Sequence, residues 1–198
     1  VSVFTGRPPQ VSDHPGYRAG LVYGPPVSTT IATSAIVANT LYAMPIQIHR
    51  TVTIDALGAR FGTGAAGAAK LGIYRSVDGN PATLVAECST ALDTSLTTVQ
   101  STGFTANPTL TPDWYWFCMC ANSAPQPVAS PNAVGPLMYT HYGASAFGQV
   151  VLIAPFITRL TAPLTYAGPD AFFSAAFPAI TRSTGVPTTP LIEFRVAA

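Results

Sequence analysis

The string in this chain closest to a chemical motif is Gly62-Thr63-Gly64-Ala65-Ala66-Gly67, a G-x-G-x-x-G behind a strand-like segment, with Glu87 twenty residues past the last glycine. In a dinucleotide-binding unit such glycines let the backbone approach a pyrophosphate where a helix opens, and the acid takes a ribose hydroxyl. The residues that follow are AAKLGIYRSVDGNP, which hold a glycine, β-branched residues and then a turn. No helix opens there. The string is expected to be a hairpin loop between two strands that binds no nicotinamide or flavin, and no cofactor-binding residue is assigned.

Hydrolytic chemistry would need paired carboxylates or a Ser/His/Asp set. The eight acids, Asp13, Asp55, Asp78, Glu87, Asp93, Asp113, Asp170 and Glu193, stand apart in sequence. Asp78, Asp113 and Asp170 sit in turn contexts, where a carboxylate caps backbone groups. Ser12-Asp13-His14 has the composition of a triad, but adjacent residues rarely converge on one atom and no G-x-S-x-G elbow is present. Cys88, Cys118 and Cys120 form no C-x-x-C pair, and His14, His49 and His141 fall at no metal-ligand spacing from them. Three reduced, buried thiols are expected. No catalytic or metal-binding residue is assigned, the receptor-binding residues are unknown at this level, and the chain is not expected to be an enzyme.

The segment Trp114 to Cys120 is apolar on both faces, with Trp114, Trp116, Cys118 and Cys120 on one and Tyr115, Phe117 and Met119 on the other. A strand wet on one side would not be written this way. It is read as central in a covered sandwich or as a subunit interface, the alternative being a stacking platform for a sugar ring.

The elements that position these residues read as strands. Ile46, Ile48, Val52 and Ile54 share a face, then the phase flips to Leu57, Ala59 and Phe61, which calls for a bulge near Asp55 and Ala56. Further strands are expected at 69–75, 83–88, 96–104, 114–120, 137–142, 149–154, 155–160 and 191–196, with a turn at SVDGNP (76–81) where Gly79 and Asn80 can take positive φ, and a short helical turn near PDAFFSAAF (169–177). Eight or so short strands indicate an all-β, jelly-roll-like antiparallel β-sandwich at 41–198. Residues 1–40, with PPQ, HPG and GPP, read as an extended, irregular Pro-rich N-terminal arm, either lying over its own domain or docking on a neighbour. Deleting residues 1–26 is expected to leave the sandwich folded and to disable assembly.

Composition bounds the function. Of 198 residues 48% are hydrophobic and only 9% charged, against roughly 25% charged in an average soluble domain. The net charge of +1 offers no footprint for nucleic acid or an anionic membrane surface. Prolines cut both long charge-free stretches, so no membrane insertion is expected. The N-terminal VSVFTGRPPQ lacks the basic start and apolar run of a signal peptide. With Lys70 as the sole lysine, sheet edges cannot be blunted in the usual way, and burial of the surface in a symmetric homo-oligomer follows.

From about Leu41 to Ala121 the chain resembles virion proteins of tailed bacteriophages. The shared pattern runs through LYAMPI (41–46), TVTIDALGARF (51–61), LGIYRSVDGNPATLVAE (71–87) and LTPDWYWF (110–117), and it departs where Asp113 precedes Trp114 and Ala82 follows Pro81, positions at which glycine is common. The resemblance implies a jelly-roll-like domain in a virion, a homotrimer assembled in the bacterial cytoplasm, and it carries over no catalytic residue. A tail or fibre component contacting the host surface is the leading expectation, a host-surface glycan being one candidate receptor. The alternatives are a capsid decoration or head-fibre protein anchored to other virion proteins by its N-terminal arm, and a free carbohydrate-binding module.

Overall fold

The computed structural model describes residues 16–24, 35–127, 160–166, 173–179, 181–182 and 192–198. Regular structure among them is all strand: β1 (Val22–Tyr23), β2 (Thr40–Ile48), β3 (Val52–Thr63), β4 (Ala68–Val77), β5 (Asn80–Glu87), β6 (Leu92–Asp93), β7 (Val99–Gly103), β8 (Thr109–Leu110), β9 (Asp113–Ala121), β10 (Gln126–Pro127), β11 (Leu160–Pro163), β12 (Thr181–Arg182) and β13 (Glu193–Val196). One sheet runs β1-β13-β3, with β7 and β8 along the far side of β3 and β10 at its end. The other runs β12-β11-β2-β9-β4-β5, with β6 beside β4. All pairings are antiparallel, and neighbours such as β2 and β9 come from distant parts of the chain. The expected all-β antiparallel sandwich is the fold.

Alternation along the strands builds the core. Met44, Ile46 and Ile48 of β2, Leu71 and Ile73 of β4, and Phe117 and Met119 of β9 face Ile54, Leu57 and Phe61 of β3 and Phe194 of β13. The phase flip in β3 is a bulge at Asp55: Arg195 of β13 lies opposite Ala56 while Val196 lies opposite Ile54, so Asp55 is the extra residue. This returns Leu57 to the side Ile54 occupies. Pro45 sits inside β2 with Trp116 of β9 as its register partner.

The sheets are joined along one side. Cys88, just past β5, bridges Phe104, just past β7, and the Ser89 N–H donates to the Gly103 carbonyl at 2.8 Å. Farther along, the Gln100 side chain receives the Asp93 N–H at 2.9 Å and donates to the Asp93 carbonyl at 2.7 Å. A glutamine amide thus imitates a rung of ladder between β7 and β6, and the sandwich curls towards a half-barrel.

Two turns differ from expectation. In the β4–β5 hairpin the left-handed residues are Asp78 (φ 50°) and Gly79 (φ 74°), not Gly79 and Asn80. Val77 pairs with Asn80, which leaves an Asp-Gly two-residue turn of the kind whose twist matches the strands. The glycine run at 62–67 is not a hairpin, because β3 and β4 belong to different sheets and the run carries the chain from one to the other. It must pass close to its neighbours: a Cβ on Gly64 would overlap the Ser95 backbone, and one on Gly67 would overlap Asn122 and Ser123.

Residues 16–24 and 35–40, placed by sequence in the arm, pack on the chain's own core. β1 is the edge partner of β13, and Tyr23 is 1% exposed and stacks on Phe194, with ring centroids 5.7 Å apart. Ile36 is equally buried. Asn39, at φ 57°, donates its N–H to the Ala121 carbonyl, while its own carbonyl and side-chain oxygen receive the N–H groups of Leu164 and Tyr166. These apolar groups are thus used within the fold. The expected strands at 137–142 and 149–154, and nearly all of that at 155–160, lie outside the described residues. Residues 173–177 of the expected helical turn are irregular rather than helical, with bends at Phe173 and Ala175 and Ala176 bridging Thr83.

Candidate functional site

Cys88, Cys118 and Cys120 are free and buried, as expected. Burial pushes the Cys88 and Cys120 thiols up to about 12, and the Cys118 thiol well above its ordinary value. None is held as the thiolate that nucleophilic or redox chemistry uses. Ser12-Asp13-His14, Asp170 and His141 lie outside the described residues.

Four of the described acids have clear structural work. Asp55 accepts from Arg195 Nε at 2.9 Å, and Glu87 Oε2 accepts the Phe173 N–H at 2.8 Å. Asp93 takes the Ser95 hydroxyl and N–H, which hold its carboxyl below the usual range. Asp113 accepts the Trp114 N–H at 2.8 Å on one oxygen and Arg75 Nη2 at 3.1 Å on the other. Glu87 is therefore part of a latch between β5 and residues 173–177. The described residues contain no group of three or more His, Cys, Asp or Glu placed to hold a metal.

The two-faced apolar strand β9 resolves residue by residue. Tyr115, Phe117 and Met119 point into the main core. Trp116, Cys118 and Cys120 point outward into a second cluster with Leu41, Ala43, Tyr74, Ala162 and Phe173. That cluster is closed by the chain itself: Leu84 and Ala82 on the edge of β5 pair with Ala175 and Phe177, and the rings of Phe173 and Phe177 meet Tyr74 edge-on. Gly72 makes room for this, since a Cβ there would lie 2.8 Å from Phe173 Cε2. The covered-sandwich reading is the one realised for most of β9. Sequence patterning could not identify the cover, because residues 173–177 carry no strand periodicity of their own.

Trp114 is the exception, 48% exposed at the start of β9. It stands opposite Gln47 of β2, so both side chains share the outer face. The Arg75–Asp113 pair closes the same end of the sheet. Among the described residues neither the Trp114 indole N–H nor the Gln47 amide is engaged by a hydrogen bond, whereas the buried Trp116 Nε1 donates to Ser76 Oγ at 3.1 Å. Two features escaped sequence reading altogether. Lys70 is 1% exposed on the outward row of β4, and Glu193 is 2% exposed on β13; nothing in their flanking residues marks them as buried.

The described residues thus form an all-β sandwich with the half-exposed Trp114 ring on its outer face. No protein-family model matches the chain, and no curated protein matches it.

Proposed function

We propose that this chain is a structural virion protein of a tailed bacteriophage, a tail or fibre component whose sandwich meets the host surface. The observation that carries the reading is where the phage-like motifs fall. LYAMPI lies in β2, LGIYRSVDGNPATLVAE is the β4–β5 hairpin and WYWF lies in β9; these four strands are consecutive neighbours in one sheet, in the order β2-β9-β4-β5. TVTIDALGARF is β3, which backs that sheet across the core. Residues scattered over some 80 positions thus make one packed unit, as a shared fold requires.

Other features support it. Three buried thiols suit assembly in a reducing bacterial cytoplasm. A surface with few charges that also exposes Val37, Val77, Val85, Leu96 and Val99 suits burial in a homotrimer or against other virion proteins. The test is the protein content of tailed particles banded by density from lysates of the strain carrying the gene. The chain is expected in stoichiometric amount with the particle; its confinement to the soluble fraction would contradict the proposal.

A further inference from the structure

We propose that the outer face around Trp114 binds a neutral pyranose ring of a glycan. Trp114 projects from the same row as Trp116, Cys118 and Cys120, all of which are buried, so the exposure of one ring in an otherwise covered row is specific to this position. The strand under the ring is well paired. β2 and β9 are in register from Leu41 opposite Cys120 to Ile48 opposite Asp113, and the Asp113 carboxylate accepts the Trp114 backbone N–H at 2.8 Å. A backbone fixed in this way has little freedom to lose when a ligand settles on the ring it carries.

Two observations favour a sugar over a protein surface. The ring's cross-strand neighbour on that face is Gln47, whose amide makes no hydrogen bond to a described residue; a planar donor and acceptor beside a flat apolar ring matches a pyranose, which presents C–H groups on its face and hydroxyls at its rim. A protein hot spot would instead want apolar neighbours around the indole. Arg75 and Asp113 at the same end of the sheet are engaged with each other at 3.1 Å, so this pair brings no net charge with which to select an acidic sugar or a phosphate. The proposal rests on the virion reading only for the source of the glycan, the bacterial surface.

The chain has two tryptophans, and Trp116 is a buried internal reference. The purified full chain is titrated with cellotetraose, chitotetraose and maltotetraose while tryptophan emission and acrylamide quenching are read. At least one should give a saturable blue shift with loss of quenching, in the millimolar range expected of one stacked ring. Trp114→Ala should abolish the change, Gln47→Ala should weaken binding about tenfold, and Trp114→Tyr should keep part of it, each with an unaltered far-UV spectrum. No saturable change with any of the three sugars would overturn the proposal. So would binding that survives Trp114→Ala, or a Trp114 already shielded in the ligand-free protein, which would assign the ring to a second copy. A negative titration alongside particles that contain the chain would remove this site and leave the virion reading standing.

Discussion

The three thiols make the residue-scale account testable. Burial favours the neutral form of each, so in the folded protein they keep their protons to about pH 12 at Cys88 and Cys120, against 9.0 for an open thiol. Tyr17 behaves alike, raised by burial from 10.0 to about 12. The folded state then holds more protons than the unfolded one at alkaline pH, and stability, complete below about pH 9, falls as pH rises towards 12. Thermal midpoints measured from pH 7 to 11 should be flat to about 9 and decline beyond it; a profile flat to pH 11 would show the thiols and Tyr17 to be hydrated. An aromatic disulfide reagent at pH 8 should leave all three thiols unmodified until denaturant is added. Gly72→Ala should cost about 1–3 kcal/mol through the clash with Phe173, measured by urea unfolding, with the loss recovered when Phe173 is also shortened to Leu. The fate of the cysteines was legible because an odd, unspaced set of small apolar residues inside strands has few other uses. Lys70 and Glu193 were not legible, since burial of a charge depends on what the rest of the chain lays over it.

At the scale of elements, periodicity carried most of the fold. The switch of phase between Ile54 and Leu57 could be met only by an extra residue, and Asp55 is that residue, its carboxylate turned to Arg195. Strands β4, β5, β7, β9 and β13 lie where alternation placed them. The two-residue strands β1, β6, β8, β10 and β12 were missed because pieces so short have no period to read. The pairing within the N-terminal segment went unseen for a related reason: prolines mark where pairing stops but say nothing of a Val22–Tyr23 pair between them. Tyr23→Ala should therefore cost about 3 kcal/mol or more, by removing a ring stacked on Phe194 and the hydroxyl that receives the Arg18 N–H, and should lower the Tm by roughly 10 °C. Deletion of residues 1–26 should destabilise at least as much, in place of the small change read from sequence; an unchanged midpoint would show β1 to be dispensable. In the β4–β5 turn, Gly79→Ala should cost about 1–2 kcal/mol, because its φ of 74° is left-handed.

For the whole molecule, chemistry and surface point the same way. Asp55, Glu87, Asp93 and Asp113 serve hydrogen bonds, the thiols are buried, and the surface exposes Trp114 and several aliphatic residues, on which the proposed glycan contact and self-association rest. Light scattering at micromolar concentration should give about three times the 20.6 kDa chain mass; a 20.6 kDa species would refute the trimer. Function was less legible than fold. Sandwiches of this kind host many activities, and only the ordered motifs between Leu41 and Ala121 narrow the choice. The measurement that bears most directly on that choice is immunogold labelling of intact particles with antibody raised against the purified chain. Label concentrated on the tail or its fibres is the expected result. Label on heads would contradict the tail placement, and unlabelled particles from a lysate in which the chain is plentiful would contradict the virion assignment itself.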